Sequence, residues 1–270
     1  MQFTVIASQS APHQLRHQEV LAVGLKKLGV SVKLSHSVKA DTQFVACWGW
    51  RNGKQLRDQG HDVLVMERAY LGNRFEWTSL AWDGLNGYGQ FGEAPNDNGK
   101  RFAENFSMKP WRTTPGKNVL IMGQVPGDAS LQGRNMMPWY EAVATLAADA
   151  YQLPVMFRPH PGAVKRGLRQ NPRHCAKSFV ELDEALNDAH VVITFNSNSA
   201  VDAVIAGVPA VTMDQGTMAW DVTAHTIGEV VMPDRTEWAN RLAWKQWQLN
   251  EIMDGSALHS LLEIKKSLNQ

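Results

Sequence analysis

Short apolar runs alternate along the chain with longer stretches in which apolar residues recur at helical spacing. The runs predict strands at 3–8, 30–35, 43–50, 62–67, 118–123, 153–161, 190–196 and 208–214. The spaced stretches predict helices at 13–29, 51–60, 136–152, 178–189, 199–207, 235–247 and 257–268. Strand–helix alternation is typical of parallel sheets covered by helices. The predicted fold class is α/β, with two Rossmann-like lobes and C-terminal helices.

The alternation is interrupted once, between residues 72 and 116. This segment is rich in Gly, Asn and aromatic residues and has no clean period. A loop of this length inside a compact protein is usually functional. We therefore predict a first lobe over residues 1–115, a second lobe over 116–250 and a closing C-terminal helix over 251–270.

Composition is that of a folded globular protein, with 44% hydrophobic and 20% charged residues. No apolar run reaches the roughly 18 residues that a membrane span needs, so we expect no integral membrane segment. The two cysteines fit neither a metal site nor a disulfide framework, which favours a cytoplasmic protein. The net charge of +1 conceals a mildly basic first lobe, which suits a polyanionic acceptor.

Polar clusters follow several of the predicted strands. The stretch GQVPGDAS (123–130) comes directly after the strand residues 118–122 and presents Gln124, Asp128 and Ser130. In open parallel sheets, ligands lie beyond the carboxyl ends of the strands. Asp128 is thus a candidate nucleophile, base or ribose ligand, although an Asp in a turn is more often a cap.

The stretch FRPHPG (157–162) holds an Arg and a His between two prolines. Proline fixes its own φ and keeps the preceding residue extended, so Arg158 and His160 are presented rigidly. Arg suits bidentate contact with phosphate, and an imidazole can donate to a phosphate oxygen or protonate it. The alternative is a buried structural His beside a surface Arg.

A third cluster, TFNSNS (194–199), joins a strand to a helix. Ser197, Asn198 and Ser199 supply hydroxyl, amide and backbone N–H groups where anions bind well, and a cap alone needs only one of them. Asp214 and Gln215 follow the next strand. The chain has neither GxxxxGK[ST] nor GxGxxG after its first strand, which argues against a P-loop NTPase and a dinucleotide oxidoreductase.

Two carboxylates of the first lobe are candidate bases for an acceptor hydroxyl. Asp83 lies in the Gly-flanked aromatic stretch WDGLNG (82–87), and Glu67 ends strand 62–67. The competing interpretation of Asp83 is an ordinary Asp-Gly turn.

Together, GQVPGDAS, RPHPG and TFNSNSAVDAVIAGVPAVTMDQG resemble the capsule polysaccharide synthesis family of the Kdo-transferase type, and more broadly GT-B glycosyltransferases with an HP motif. The resemblance covers roughly residues 118–220. It implies an acceptor-binding first lobe and a second lobe that binds a nucleotide-sugar without metal.

The same resemblance implies individual roles. Arg158 and His160 would contact the donor phosphate, and residues 197–199 the phosphate or ribose. Gln124 and Asp128 would face the donor sugar, with Asp128 as a possible carboxylate nucleophile. Asp83 would loosely match an acceptor base.

The chain departs from the family pattern at Pro126-Gly127, where acidic residues are expected, so UDP- and CMP-linked donors both stay open. The acceptor is a surface polysaccharide or a hydroxymethylated pyrimidine in phage DNA. A GT-B nucleotide-sugar epimerase and a non-catalytic nucleotide- or carbohydrate-binding protein are the alternatives. The sequence leaves the oligomeric state open.

Overall fold

The computed structural model describes residues 2–9 and 11–267 and contains eleven strands and ten α-helices over those ranges. The strands are β1 (Gln2–Ile6), β2 (Ser31–Ser35), β3 (Phe44–Trp48), β4 (Asp62–Arg68), β5 (Trp77–Trp82), β6 (Asn118–Met122), β7 (Val155–Arg158), β8 (Ala176–Lys177), β9 (Ala189–Thr194), β10 (Ala210–Thr212) and β11 (Gln246–Gln248). The helices are α1 (Pro12–Lys27), α2 (Trp50–Asp58), α3 (Lys100–Asn105), α4 (Met137–Tyr151), α5 (Pro161–Lys165), α6 (Leu182–Asp188), α7 (Ser199–Ile205), α8 (Thr236–Ala243), α9 (Leu249–Asp254) and α10 (His259–Ser267).

The chain divides into two compact units. The first unit comprises Met1–Phe106 and Ala239–Gln270, and the second comprises Ser107–Trp238. The sequence placed the divisions at residues 115 and 250 and set the C-terminal helix apart. The divisions differ because the C-terminal segment packs on the first unit, as described below.

The first unit is built on a six-stranded sheet of order β11-β5-β4-β3-β1-β2. Strands β1 to β4 are parallel, whereas β5 and β11 run antiparallel to their neighbours. On one face, Phe3 stacks on Phe44 with ring centroids 5.4 Å apart, inside a core that includes residues of α1, α9 and α10. On the other face, α2 covers a smaller cluster around Val45 and Val63.

Two strands of this sheet were not predicted. β5 lies inside the segment expected to be a loop, and all six of its residues are buried. β11 lies in the segment expected to continue a helix to residue 247, but α8 already ends at Ala243. β11 pairs with β5, and the side chain of Gln246 anchors it there. Gln246 Oε1 accepts the N–H groups of Tyr70 and Leu71, each at 2.9 Å.

Arg101 connects the C-terminal segment, residues 239–270, to the rest of the first unit. Its side chain is 8% exposed; Nη1 donates to Glu251 Oε1 at 2.5 Å, and other guanidinium nitrogens donate to the carbonyls of Ala243 and Gln246. The same guanidinium lies over the rings of Trp244 and Trp247. These contacts make the C-terminal helices part of the first unit.

The second unit has a five-stranded parallel sheet of order β10-β9-β6-β7-β8. Its central strands are apolar along their length, as expected for a sheet buried on both faces. The helix predicted from residue 178 begins at Leu182 instead, because Ser178 N still donates to Phe157 O in continuation of the strand ladder.

The structure thus confirms the predicted α/β fold with two Rossmann-like units. None of the helices in the described ranges is both long and apolar enough to cross a membrane.

Candidate active site

Hydrogen bonds join the carboxyl ends of β9, β6 and β7 in the second unit. Gly123 N donates to Arg158 O at 2.8 Å, and Gln124 Nε2 donates to Asn196 Oδ1 at 2.8 Å. The three strand-end motifs of the sequence therefore meet at one edge of the sheet. This is the edge at which parallel sheets bind ligands.

Asn196 is the centre of a buried network at this edge. The side chain is 3% exposed, and its Nδ2 donates to Ser130 O at 3.0 Å and to Asp214 Oδ1 at 3.2 Å. Gln124, which is 5% exposed, also accepts Asn196 N through Oε1. We call Gln124, Ser130, Asn196 and Asp214 the strand-end network. Because its polar atoms bond mainly to one another, it fixes the positions of three loops.

Asp128 caps a short 3-10 turn at Ala129–Leu131. Its Oδ1 accepts the N–H and the hydroxyl of Ser130, at 2.9 and 2.7 Å. The side chain is exposed to solvent beside the strand-end network. The capping role that the sequence offered as an alternative is therefore present, and one carboxylate oxygen is committed to it.

The HP motif positions His160 as the N-cap of α5. Its Nδ1 accepts Gly162 N at 2.9 Å, so the neutral ring carries its proton on Nε2. The half-buried imidazole thus has a defined tautomer in which Nε2 is a hydrogen-bond donor. Pro161 begins the helix, where a missing N–H has no cost.

Arg158 extends towards the edge strand of the sheet. Its Nε donates to Val180 O at 3.2 Å, and the side chain is half-buried. This contact holds the Nε end of the guanidinium beside the carboxyl end of β7.

The segment 197–199 begins α7. Ser197 Oγ accepts Ser199 N at 3.2 Å, while Ser197 N donates to Thr194 Oγ1 at 3.3 Å. The Oγ of Ser199 is buried and has no hydrogen-bond partner within the described part of the chain. A buried hydroxyl without a partner is uncommon and marks a position where a ligand atom can bond. Gln215, at the end of β10, is exposed.

Arg134 is a site residue that the sequence did not reveal. Its guanidinium lies 5.2 Å from the ring centre of Phe195, and Nη1 lies 3.9 Å from Asp214 Oδ2. The residue belongs to a loop without periodicity, so only the structure brings this positive charge to the strand-end network.

Tyr140 is a buried residue that contacts the strand-end network through Gln124. Its hydroxyl accepts Gln124 N at 2.8 Å, and burial raises the pKa of the phenol to about 12. The group therefore stays neutral and acts as a fixed support rather than as a proton carrier.

In the first unit, Asp83 lies at the edge opposite to the carboxyl ends of β1, β3 and β4. It follows β5, which is antiparallel, and its Oδ1 accepts Val63 N at 2.8 Å. Its Oδ2 accepts from Lys265 Nζ at 2.6 Å, and both side chains are buried. Asp83 also has a φ of 53°, in keeping with the turn alternative. These surroundings are those of a structural ion pair.

Glu67 lies at the opposite, carboxyl edge of the same sheet. Its Oε1 accepts Trp50 N at 3.1 Å, at the start of α2, and the side chain is half-buried. Of the two carboxylates predicted in the first unit, Glu67 is the one at a ligand-binding edge.

Two histidines of α1 reach this edge, and no feature of the sequence beyond a helical pattern distinguishes them. His17 Nδ1 lies 2.5 Å from Thr78 Oγ1, and His13 Nε2 lies 3.4 Å from Arg68 Nη2. Both rings contact Trp48 edge-to-face. Burial lowers the pKa of His17 to about 4, and the charges of His13 and nearby arginines act in the same direction.

Two solved structures of KpsC from Thermosulfurimonas dismutans share this fold. The KpsC β Kdo 2,7 transferase aligns with a TM-score of 0.58 at 15% identity, covering 97% of this chain and 99% of that one. The KpsC β Kdo 2,4 transferase aligns with a TM-score of 0.58 at 16% identity, covering 93% and 97%. The chain has a GT-B fold. This confirms the predicted structural resemblance to Kdo-transferase-type proteins, and at these identities the similarity establishes the fold alone.

No protein-family model and no curated protein matches the chain. A UDP-GlcNAc 2-epimerase of Methanocaldococcus jannaschii aligns over 99% of this GT-B chain and 100% of its own, but with a TM-score of 0.35 and 12% identity. A similarity that low does not bear on the epimerase alternative.

Proposed function

We propose that this GT-B protein is a glycosyltransferase that moves a sugar from a nucleotide-sugar to an acceptor hydroxyl. The observation that carries the proposal is the meeting of the three motifs at one sheet edge, joined by the Gln124–Asn196 hydrogen bond. The activity named for the two Thermosulfurimonas dismutans KpsC structures, Kdo transfer, agrees with it.

The donor phosphate is assigned to His160, Arg158 and residues 197–199. Sugar transfer breaks the bond between the anomeric carbon and a phosphate oxygen, so negative charge grows on the leaving phosphate. A proton on His160 Nε2 and the guanidinium groups of Arg158 and Arg134 stabilise such a charge without a metal ion. The unpaired hydroxyl of Ser199 adds one further donor. UDP- and CMP-linked sugars both satisfy these contacts.

The donor sugar is assigned to the strand-end network and its exposed neighbours. Gln124, Ser130, Asp214 and Gln215 offer amide, hydroxyl and carboxylate groups to sugar hydroxyls. Asp128 is the carboxylate that we place at the reacting carbon, as nucleophile or charge stabiliser. Its exposed position beside the network supports this role, while its capping bond sets the orientation.

The acceptor base is assigned to Glu67. General base catalysis needs a carboxylate within reach of the acceptor hydroxyl, and Glu67 lies at the carboxyl edge of the first sheet. Asp83 is bonded to Lys265 and to Val63 N, so it is not carried into the mechanism. The acceptor itself is a surface polysaccharide or a hydroxymethylated pyrimidine in DNA.

A thermal-shift screen with UDP-, CMP-, GDP- and dTDP-sugars tests the donor assignment. A donor at about 100 times its Kd adds about 2.7 kcal/mol, or roughly 5–10 °C in Tm. His160→Asn retains an N-cap acceptor but lacks Nε2. We expect this variant to keep the Tm of the ligand-free protein and to lose most of the shift.

His160→Ala is the matched variant that removes the cap as well and should lower the ligand-free Tm. The proposal would be overturned if none of the nucleotide-sugars raised the Tm. Product analysis completes the test: a donor that is epimerised when no acceptor is present would replace transfer by epimerisation.

A further inference from the structure

Positive charge is concentrated in one part of the second unit. The unit contains eleven Lys and Arg against thirteen Asp and Glu. Six of the eleven lie between residues 158 and 177, and none of the thirteen does. A unit that is acidic as a whole therefore carries a segment with six positive charges.

Five of these side chains are exposed to solvent. We call them the basic strip: Lys165, Arg166, Arg169, Arg173 and Lys177. The strip runs from α5 to β8, which is the edge strand of the sheet. The cations therefore lie on one continuous segment of the chain that ends at an edge of the sheet.

Little of this charge is neutralised by neighbours. Arg173 forms a bidentate pair with Glu141, with both N–O distances at 3.1 Å, yet its side chain remains 77% exposed. In the described ranges, no carboxylate pairs with Lys165, Arg166, Arg169 or Lys177. Four cations thus face solvent without a counter-charge.

We propose that the basic strip binds the phosphodiester backbone of a nucleic acid. Several exposed cations without a counter-charge are matched by a ligand with repeated anions, and duplex DNA offers one charge per roughly 1.7 Å of its axis. Phe179, which is 68% exposed just after β8, provides an aromatic face on which an unpaired base can stack. This binding does not require the proposed transfer reaction, and it would hold the substrate if the acceptor is DNA.

The surroundings of the strip favour a linear polyanion over a membrane surface. Glu181, Asp183 and Glu184 are exposed directly after Phe179 and Val180. A flat anionic bilayer that met Phe179 would also meet these three carboxylates, whereas a narrow strand can follow the cations alone.

Fluorescence anisotropy with a labelled 20-base-pair DNA and the matching single strand tests the proposal. Four phosphate contacts predict that duplex binding weakens about a hundredfold between 50 and 200 mM salt. The triple variant Lys165→Gln, Arg166→Gln, Arg169→Gln should remove most binding at 50 mM salt and flatten the salt dependence.

The control is the triple variant Lys26→Gln, Lys27→Gln, Lys33→Gln, which removes three exposed cations from the first unit. Equal losses in the two triple variants, or unchanged binding in the strip variant, would overturn the proposal. So would tighter strip-dependent binding of polygalacturonate or of vesicles with 30% phosphatidylserine. The strip variant should keep its thermal shift with nucleotide-sugars. Failure of the nucleic-acid proposal is therefore distinguishable from failure of the transferase proposal.

Discussion

Gln124 and Asn196 join the ends of β6 and β9 through a hydrogen bond of 2.8 Å between Nε2 and Oδ1. Both side chains are buried, so neither amide can exchange this bond for one with water. The pair holds the two loops that carry the candidate donor contacts at a fixed separation.

Replacing either amide should therefore destabilise the second unit. We expect Gln124→Ala and Asn196→Ala each to lower the free energy of unfolding by about 1–3 kcal/mol, because buried partners lose their bonds. The double variant should lose less than the sum, by about 0.5–3 kcal/mol. Urea unfolding measures all three, with the exposed Gln132→Ala as control. Additive losses would show that the two amides act separately.

Asp128→Asn separates the capping role of this residue from a chemical one. Asn caps about as well as Asp, so the Tm should stay unchanged. Loss of the carboxylate should slow transfer by at least about 100-fold if Asp128 acts on the reacting carbon. Asp149→Asn, which neutralises an exposed carboxylate on α4, is the matched control. Normal turnover of Asp128→Asn would leave the residue as a cap only.

Glu67→Gln and Asp83→Asn should have opposite effects. The glutamine of the first variant keeps an oxygen for Trp50 N, so we expect normal stability and transfer slowed by about 100-fold or more. The asparagine of the second variant weakens the ion pair with Lys265, so we expect a lower Tm with little change in turnover per folded molecule. Initial rates and thermal melts of both variants decide the assignment; slow transfer only in Asp83→Asn would reverse it.

Lys265→Met should lower the free energy of unfolding more than replacement of an exposed lysine does. Lys265 Nζ lies 2.6 Å from Asp83 Oδ2 and 2.7 Å from Asp62 Oδ1, and its side chain is 6% exposed. Removing the ammonium leaves a buried carboxylate unpaired, which costs about 3–5 kcal/mol. Lys54→Met removes an exposed pair with Asp58 and should cost less than about 1 kcal/mol. Equal costs in urea unfolding would contradict this.

The same ion pair predicts a stability loss in alkali. Burial on its own lowers the pKa of Lys265, but the hydrogen bonds to Asp62 and Asp83 outweigh it and raise the pKa above its ordinary value of 10.5. The contribution to stability is therefore complete below pH 10.5 and is lost as the pH rises through the folded pKa. Lys265→Met should lack this alkaline decline.

His17 predicts a stability loss in mild acid. Burial first, and then the charges of His13, Arg16 and Arg68, lower its pKa from 6.5 to about 4. The unfolded chain takes up a proton at a higher pH than the folded one, so stability is complete above pH 6.5 and falls towards pH 4. The loss is on the order of 3 kcal/mol. His17→Gln should flatten the curve, and the exposed His259→Gln should not.

The sequence predicted the parallel strands of both sheets except β8, because those strands are short, apolar and mostly followed by helices, whereas β8 has only two residues. It also predicted that Arg158, His160 and residues 197–199 lie at strand ends, and the sheet order places β6, which is followed by Gln124, between the two strands concerned. Nothing in the local pattern could reveal which strands are neighbours, since sheet order is set by packing between distant segments.

The misplacement of Asp83 has a similar cause. β5 is antiparallel, so a residue that follows it lies at the opposite edge from a residue that follows a parallel strand. Arg134 and His17 were missed because their neighbours are contributed by other elements: Phe195 in one case and Thr78 in the other. Contacts between distant elements produce no periodic pattern in the sequence.

The late strand β11 has a consequence for synthesis. The second unit is one continuous piece of chain, whereas the first unit's sheet needs β11 and its core needs α9 and α10. On the ribosome, the residues of the second unit are all available while the first still lacks an edge strand and part of its apolar cover. The unit that begins the chain is thus the one completed last, and a truncation near the C-terminus damages the N-terminal half.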